Sequence, residues 1–133
     1  MQRLKIDQTE SSFFVDLNID KGEFLFSGES RPENAPRFFE PIINWLDDFK
    51  ENYDKVKSNS TYSLKVVFNL DYFNSTSTKY IVDIIQILKE IGDNSYIHLT
   101  TEWHYKEIDE DIEESGRELV EWTGLNMELI PYK

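Results

Sequence analysis

The chain has 133 residues, no cysteine, and a formal net charge of −12 from 14 basic and 26 acidic side chains. The length fits one domain, residues 1–133, and the apolar content of 39% is too high for a disordered chain. The lack of cysteine excludes disulfide scaffolds, thiolate metal sites and cysteine nucleophiles, and the acidity argues against binding to nucleic acid or to anionic membranes. No apolar run approaches the roughly 18 residues of a membrane span, and no secretory signal is recognisable, so we expect a cytoplasmic protein.

The first predicted elements are two strands, 13–19 and 23–27, joined by a short turn that contains Gly22. Because glycine readily takes a positive φ, this pattern predicts a β-hairpin. The next residues, 28–34, are polar and rich in turn formers, which predicts a loop rather than a strand or helix.

A helix is predicted to follow this loop, with Asn34 as its N-cap. Pro36 suits a first turn, whereas Pro41 removes a backbone donor from the helix interior, so we expect a late start or a kink there. Five apolar residues recur at steps of three and four and therefore share one face: Phe38, Ile42, Trp45, Leu46 and Phe49.

A strand over 63–72 is predicted to be central, because Val67 keeps its second face partly apolar. The helix after it has a buried stripe and ends at Gly92. The members of the stripe are Ile81, Ile84, Ile85, Leu88 and Ile91.

The C-terminal part predicts a strand over 96–105, an acidic helix over 107–123 that ends at Gly124, and a short strand over 126–130. The order is then ββαβαβαβ. Strands that alternate with helices predict an α/β fold, here a mixed sheet with its helices largely on one face.

Two acidic features have simple explanations. Glu102 and His104 lie on one face of a strand, about 6–7 Å apart, and could be neighbouring metal ligands in a small metal-assisted enzyme. No third ligand is evident, so a polar sheet face is the favoured interpretation. Residues 102–121 contain nine acidic and two basic side chains without the spacing of a calcium loop, which favours a solvated helix surface. The sequence contains neither a glycine-rich phosphate loop nor a nucleophile elbow.

Four consecutive hydroxyl residues, Ser75 to Thr78, lie where the central strand gives way to its helix. Helix capping by Asn74 or by one hydroxyl explains one or two of them. A phosphoacceptor is the functional interpretation, because a phosphate would gain from the free N–H groups and the helix dipole. From the residues alone, both interpretations stay open, including a structural interaction module in which the run is only a cap.

Three stretches together resemble the SiaC family of regulatory phosphoproteins, whose fold is similar to the STAS domains of anti-sigma-factor antagonists. They occur in the family's order and extend over nearly the whole chain. They are Ser27-Gly-Glu-Ser-Arg-Pro-Glu-Asn34 with the following Phe38-Phe-Glu-Pro-Ile-Ile-Asn-Trp-Leu46, then Asp71-Tyr-Phe-Asn-Ser-Thr-Ser-Thr-Lys79, and Glu102-Trp-His-Tyr105 with the acids after it.

The resemblance implies a non-enzymatic signalling switch with no cofactor. In the family the hydroxyl directly after Tyr-x-Asn is phosphorylated, which corresponds to Ser75. The usual Asn-Thr-Ser-Ser is here Asn-Ser-Thr-Ser, so Thr76 is the second candidate. A serine/threonine kinase would add the phosphate and a PP2C-like phosphatase would remove it. The unmodified form would bind and regulate an output protein such as a diguanylate cyclase.

Two segments are candidate partner-binding sites, although the first also fits a plain connection capped by Asn34. The family's usual Ser-Tyr-Pro-Glu-Asn has Arg31 in place of the tyrosine, which would alter the choice of partner. The candidate residues are Glu29, Ser30, Arg31, Pro32, Glu33 and Asn34 in the first segment, and Tyr72, Asn74 and Ser77 in the second.

Overall fold

The computed structural model describes the backbone of residues 2–56 and 61–133 and the side chains of 2–53 and 61–133. Within these residues the chain forms a six-stranded mixed sheet and three helices. In chain order the elements are β1 (Leu4–Ile6), β2 (Phe14–Asn18), β3 (Glu23–Ser30), α1 (Ala35–Val56), β4 (Tyr62–Phe73), α2 (Ser75–Gly92), β5 (Ile97–Lys106), α3 (Glu110–Thr123) and β6 (Met127–Tyr132).

The strands lie in the sheet in the same order as in the chain, from β1 to β6. The first three are antiparallel, whereas β3, β4, β5 and β6 are mutually parallel. Each helical crossover therefore steps to the next strand in the same direction, and crossovers of one hand place their helices on one face. The mixed α/β sheet predicted from the sequence is confirmed.

Contacts across the core confirm the shared face. Phe24 of β3 meets Trp45 of α1 edge to face, with ring centroids 5.4 Å apart. At the other end of the sheet, the buried indole of Trp103 on β5 donates from Nε1 to the carbonyl of Ile112 on α3 at 2.9 Å. Gly116 of α3 leaves room for that ring, because a Cβ there would lie 2.5 Å from it.

The N-terminal part departs from the sequence prediction at two points. The hairpin is confirmed, with Gly22 at a φ of 68°, but β1 precedes it and was not predicted. Moreover, β3 runs on through Ser30, so the predicted loop over 28–34 is wrong for its first three residues. Gly28 has a φ of 101° and a register shift follows it, so this extension is a bulged strand end. The observed order is βββαβαβαβ.

Helix α1 begins directly after Asn34, whose Oδ1 accepts from the backbone N–H of Arg37 at 3.2 Å. This confirms the predicted N-cap. The predicted late start is wrong, since the helix continues through Pro41, while a kink there stays a prediction. Pro41 is exposed, so water can satisfy the carbonyl that it leaves without a donor.

The remaining helices follow the predicted pattern closely. The stripe of α2 is fully buried, and the helix ends at Gly92 as predicted. Helix α3 begins at Glu110 rather than at 107, because Asp109 caps it by accepting from the N–H of Ile112 at 3.1 Å. Gly124 ends α3 with a φ of 77°. In the described part of the chain, the structure contains no helix long and apolar enough to span a membrane.

Candidate functional site

The two candidate segments meet at the carboxyl edge of the sheet, where the parallel strands end. β3 and β4 are parallel neighbours, so their carboxyl ends lie side by side, and Ser30 pairs with Phe73 at the end of the ladder. Beyond this pair, the backbone N–H of Asn74 donates to the carbonyl of Ser30 at 3.0 Å. The fold therefore brings together residues 29–34, here called the edge segment, and the first turn of α2, Ser75–Thr78.

Asn74 is the N-cap of α2, as the capping interpretation predicts. Its backbone is extended, with φ −82° and ψ 173°, and its Oδ1 accepts from the backbone N–H of Ser77 at 2.9 Å. Its carbonyl accepts from Thr78 twice, from the backbone N–H at 3.0 Å and from Oγ1 at 3.2 Å. The strand-to-helix corner is thus held by the asparagine and two of the four hydroxyl residues.

The four hydroxyl residues divide into two pairs. Ser77 is fully buried and its hydroxyl bonds Ser30, while the half-buried Thr78 bonds the cap. Ser75 and Thr76 are exposed, and their hydroxyls make no hydrogen bond with any residue that the structure describes. Structural roles therefore account for two of the four, and two remain accessible to a modifying enzyme.

The backbone beside these two hydroxyls suits an anion. The N–H groups of Ser75 and Thr76 have no protein partner within the described residues, as expected for the first turn of a helix. This turn contains no acidic residue. The unpaired N–H groups and the helix dipole would both favour a phosphate on either hydroxyl.

The edge segment presents a charged and polar surface beside this turn. Arg31 pairs with Glu29 at 3.1 Å, and both side chains are substantially exposed. Arg31 is anchored by its backbone N–H, which donates to the carbonyl of Ser11 at 2.8 Å. Glu33 is exposed, and Pro32 is half-buried. Next to Glu29 in the ladder lies Tyr72, which is 47% exposed.

Two of the predicted partner-binding residues have no surface to present. Ser30 and Ser77 are both 0% exposed, and their hydroxyl oxygens lie 2.7 Å apart. They join the two segments from within, so a direct partner contact by either side chain requires a different conformation. A signal for this burial was available: Ser30 continues the alternation of Phe24 and Phe26 on the buried side of β3, and Ser77 lies four residues before Ile81 of the buried stripe of α2.

A further surface residue at this edge was not identified from the sequence. Ile108 follows the carboxyl end of β5 and is 89% exposed, an unusual position for a large apolar side chain. The order of parallel strands was the available signal, because the loop after β5 must reach the same edge as the loops after β3 and β4.

Glu102 and His104 lie away from the hydroxyl run and the edge segment, on the sheet face opposite the helices. His104 Nε2 lies 2.8 Å from Glu102 Oε1, and Lys65 Nζ lies 3.5 Å from the same oxygen. The hydrogen bond with His104, aided by the charge of Lys65, holds the pKa of Glu102 below its usual value. Among the residues described, no third ligand joins them into a metal-binding group.

Comparisons with known proteins give one consistent picture. Residues 6–132 match the family model described as SiaC family regulatory phosphoprotein. A protein of Pseudomonas aeruginosa strain UCBPP-PA14, described only as uncharacterized, is 26% identical over 121 residues, which cover 91% of this chain and 90% of that protein.

Solved structures of similar fold come from the same species. Apo-SiaC of Pseudomonas aeruginosa superposes with a TM-score of 0.80 at 24% identity, covering 98% of this chain and 99% of that one. A complex of the diguanylate cyclase SiaD with its activator SiaC gives a TM-score of 0.81 at 24% identity, with 97% and 99% covered. At this identity the likeness establishes the fold.

Proposed function

Because the chain belongs to the SiaC family of regulatory phosphoproteins, we propose that it is a non-enzymatic signalling switch controlled by reversible phosphorylation of Ser75. In its unmodified form it binds and regulates an output protein. The observation that carries the proposal is the division of the hydroxyl run, in which Ser75 and Thr76 stay exposed and unbonded beside the edge segment. Of these two, Ser75 occupies the position that the family phosphorylates.

The physical effect of the phosphate is local. A phosphoserine adds about −1.5 to −2 charges at pH 7, on a surface that already contains Glu29, Glu33 and Asp71. A partner surface that closes over the neutral hydroxyls would have to desolvate this dianion, which is costly unless cations face it. Phosphorylation therefore weakens binding of the output protein.

A diguanylate cyclase is the output protein that we propose. The support is the fold shared with SiaC, which has been solved in complex with the diguanylate cyclase SiaD as its activator. The other two proposed partners are a serine/threonine kinase, which would transfer a phosphoryl group to the hydroxyl, and a PP2C-like phosphatase, which would hydrolyse the phosphate ester.

The direct test is phosphopeptide mass spectrometry of the protein purified from its native cells. We expect phosphate on the peptide that contains Ser75. A Ser75→Ala variant expressed in the same cells should lose it, while Thr76→Val should keep it. Phosphate that persists in Ser75→Ala and disappears in Thr76→Val would move the site to Thr76. A chain without phosphate under all growth conditions would contradict the switch.

The output is tested by titrating unmodified and phosphorylated protein into diguanylate cyclases of the same genome, with calorimetry for affinity and cyclic-di-GMP production for activity. The unmodified protein should bind and raise the cyclase rate. Equal binding by the two forms would contradict control by phosphorylation.

A further inference from the structure

Ser77 is linked to both parts of the candidate site at once. Its backbone N–H donates to Oδ1 of Asn74, the cap that precedes Ser75. Its hydroxyl lies 2.7 Å from the hydroxyl of Ser30 and 3.1 Å from the carbonyl of Ser30, to which it donates. A single residue therefore contacts the helix cap through its backbone and the edge segment through its side chain.

The contact between Ser77 and Ser30, here called the hydroxyl pair, is fully buried. Both residues are 0% exposed, so water cannot replace either hydroxyl as a partner. A buried hydroxyl left without a partner bears the full free-energy cost of its desolvation. The same carbonyl of Ser30 also accepts from the N–H of Asn74 at 3.0 Å. The end of β3 is thus joined to the N-cap and first turn of α2 by three hydrogen bonds.

We propose that Ser77 is a positioning residue that transmits the phosphorylation state of Ser75 to the edge segment through Ser30. The inference rests on the proposed function for its input, the phosphoryl group on Ser75. It adds that the phosphate does more than repel a partner at its own position. It also shifts the neighbouring segment, whose exposed charges are those of Glu29, Arg31 and Glu33.

The route follows from competition for one donor. A phosphoryl oxygen is a stronger acceptor than an amide oxygen, and from Ser75 it reaches for the N–H groups of the same helical turn. The N–H of Ser77 is then contested between the phosphate and Oδ1 of Asn74. When Ser77 moves, its hydroxyl moves with it, and the two hydrogen bonds between this hydroxyl and Ser30 displace Ser30. Arg31 follows Ser30 directly, and its N–H is bonded to Ser11.

The test uses the full chain with phosphoserine installed at position 75 during translation, so that no kinase is needed. Amide chemical shifts are measured in ¹⁵N spectra of the phosphorylated and unphosphorylated chains. We expect the amides of Arg31, Glu33 and Asn34 to shift on phosphorylation. In a Ser77→Ala background, this response should fall by about twofold or more, because both side-chain bonds to Ser30 are gone.

Two further variants make the test specific. Ser30→Ala removes only the hydroxyl that donates to Ser77 Oγ and leaves the Ser30 carbonyl that accepts from it, so its loss of response should be intermediate. Thr78→Val is the matched control, because it deletes a hydroxyl bond of the same turn on the side of Asn74. It should keep the full response. If Ser77→Ala gives no dispersed spectrum, Ser77→Cys replaces the hydroxyl by a weak donor of similar size and is evaluated in the same way.

An undiminished response in Ser77→Ala, or an equal loss in Thr78→Val, would overturn the role of Ser77. A wild-type edge segment that does not respond to phosphoserine would overturn transmission altogether. Neither result bears on whether cells phosphorylate Ser75, which the mass spectrometry decides separately.

Discussion

Two polar regions of this molecule, the first turn of α2 and the cluster of Glu102, His104 and Lys65 on the open sheet face, make opposite use of their side chains. On the sheet face, the carboxylate of Glu102 accepts from an imidazole and lies beside an ammonium group. In the first turn of α2, Ser75 and Thr76 leave their hydroxyls without a partner among the described residues.

The difference is one of spare hydrogen-bonding capacity. A polar group that is satisfied by its protein neighbours must break those bonds before it can bind a ligand, whereas an exposed hydroxyl gives up only its hydrogen bonds to water. Residue types alone allow both regions as chemical sites, although a polar sheet face is the favoured interpretation for Glu102 and His104. The contacts strengthen that interpretation and favour the hydroxyls.

The largest expected effect tests this contrast directly through binding of the output protein. Ser75→Glu should weaken binding by about tenfold or more, or at least ~1.4 kcal/mol, because it places a negative charge in a helical turn that contains no acidic residue. Glu102→Gln, which removes a charge from the sheet face, should leave the affinity within about twofold. Calorimetry measures both. Equal losses would mean that the open sheet face contributes to binding of the output protein as much as the first turn of α2 does, which would contradict the contrast.

The next largest effect concerns the cap that holds the site. Asn74→Ala should lower the free energy of unfolding by about 1 kcal/mol, because the N–H of Ser77 loses its acceptor. Asp109→Ala, the corresponding change at the cap of α3, should cost a similar ~1 kcal/mol. Urea denaturation gives both values. Only the Asn74 variant should also change partner affinity, so equal affinity losses would remove the link between this cap and the site.

A smaller effect is expected from the edge segment. Arg31→Glu reverses an exposed charge whose partner, Glu29, lies 3.1 Å away. We expect a loss of partner affinity of about threefold, carried mainly by a slower association rate, because rim charges act chiefly on encounter. Kinetic binding measurements at two salt concentrations check this. An unchanged association rate would indicate that the edge segment only connects β3 to α1.

The smallest effect is a pH dependence at the sheet face. The folded protein holds the pKa of Glu102 below its usual value of 4.5, so the carboxylate stabilises the fold above that pH. This contribution, about 0.5 kcal/mol, is lost as the pH falls through the lowered pKa. The difference in unfolding free energy between wild type and Glu102→Gln should therefore narrow below pH 4.5. The urea series extends down to about pH 3, roughly one unit below the pKa range of free carboxyl groups. A difference in unfolding free energy that stays constant over this range would contradict the hydrogen bond with His104.

Much of the fold was predictable because its signals are local. The buried stripe of α2 and the positive φ at Gly124 follow from helical periodicity and glycine's backbone freedom. Strand β1 was missed, since three residues contain too little alternation to be recognised and pair only because β2 offers an edge. The extension of β3 to Ser30 was missed for a related reason, because residues 28–30 are turn formers that become a strand only by pairing with β4.

By itself, the sequence determined the mixed α/β architecture, the N-cap at Asn34, and the position of a hydroxyl run at the strand-to-helix junction. Only the tertiary structure decided which hydroxyls are available. Ser77 faces inward to bond Ser30 on a strand 47 residues earlier in the chain, while Ser75 and Thr76 face solvent. Four adjacent residues of one chemical type differ in the sequence only in their position relative to the apolar stripe of α2. They become different because a helix that docks on a sheet buries one side of its first turn and exposes the other.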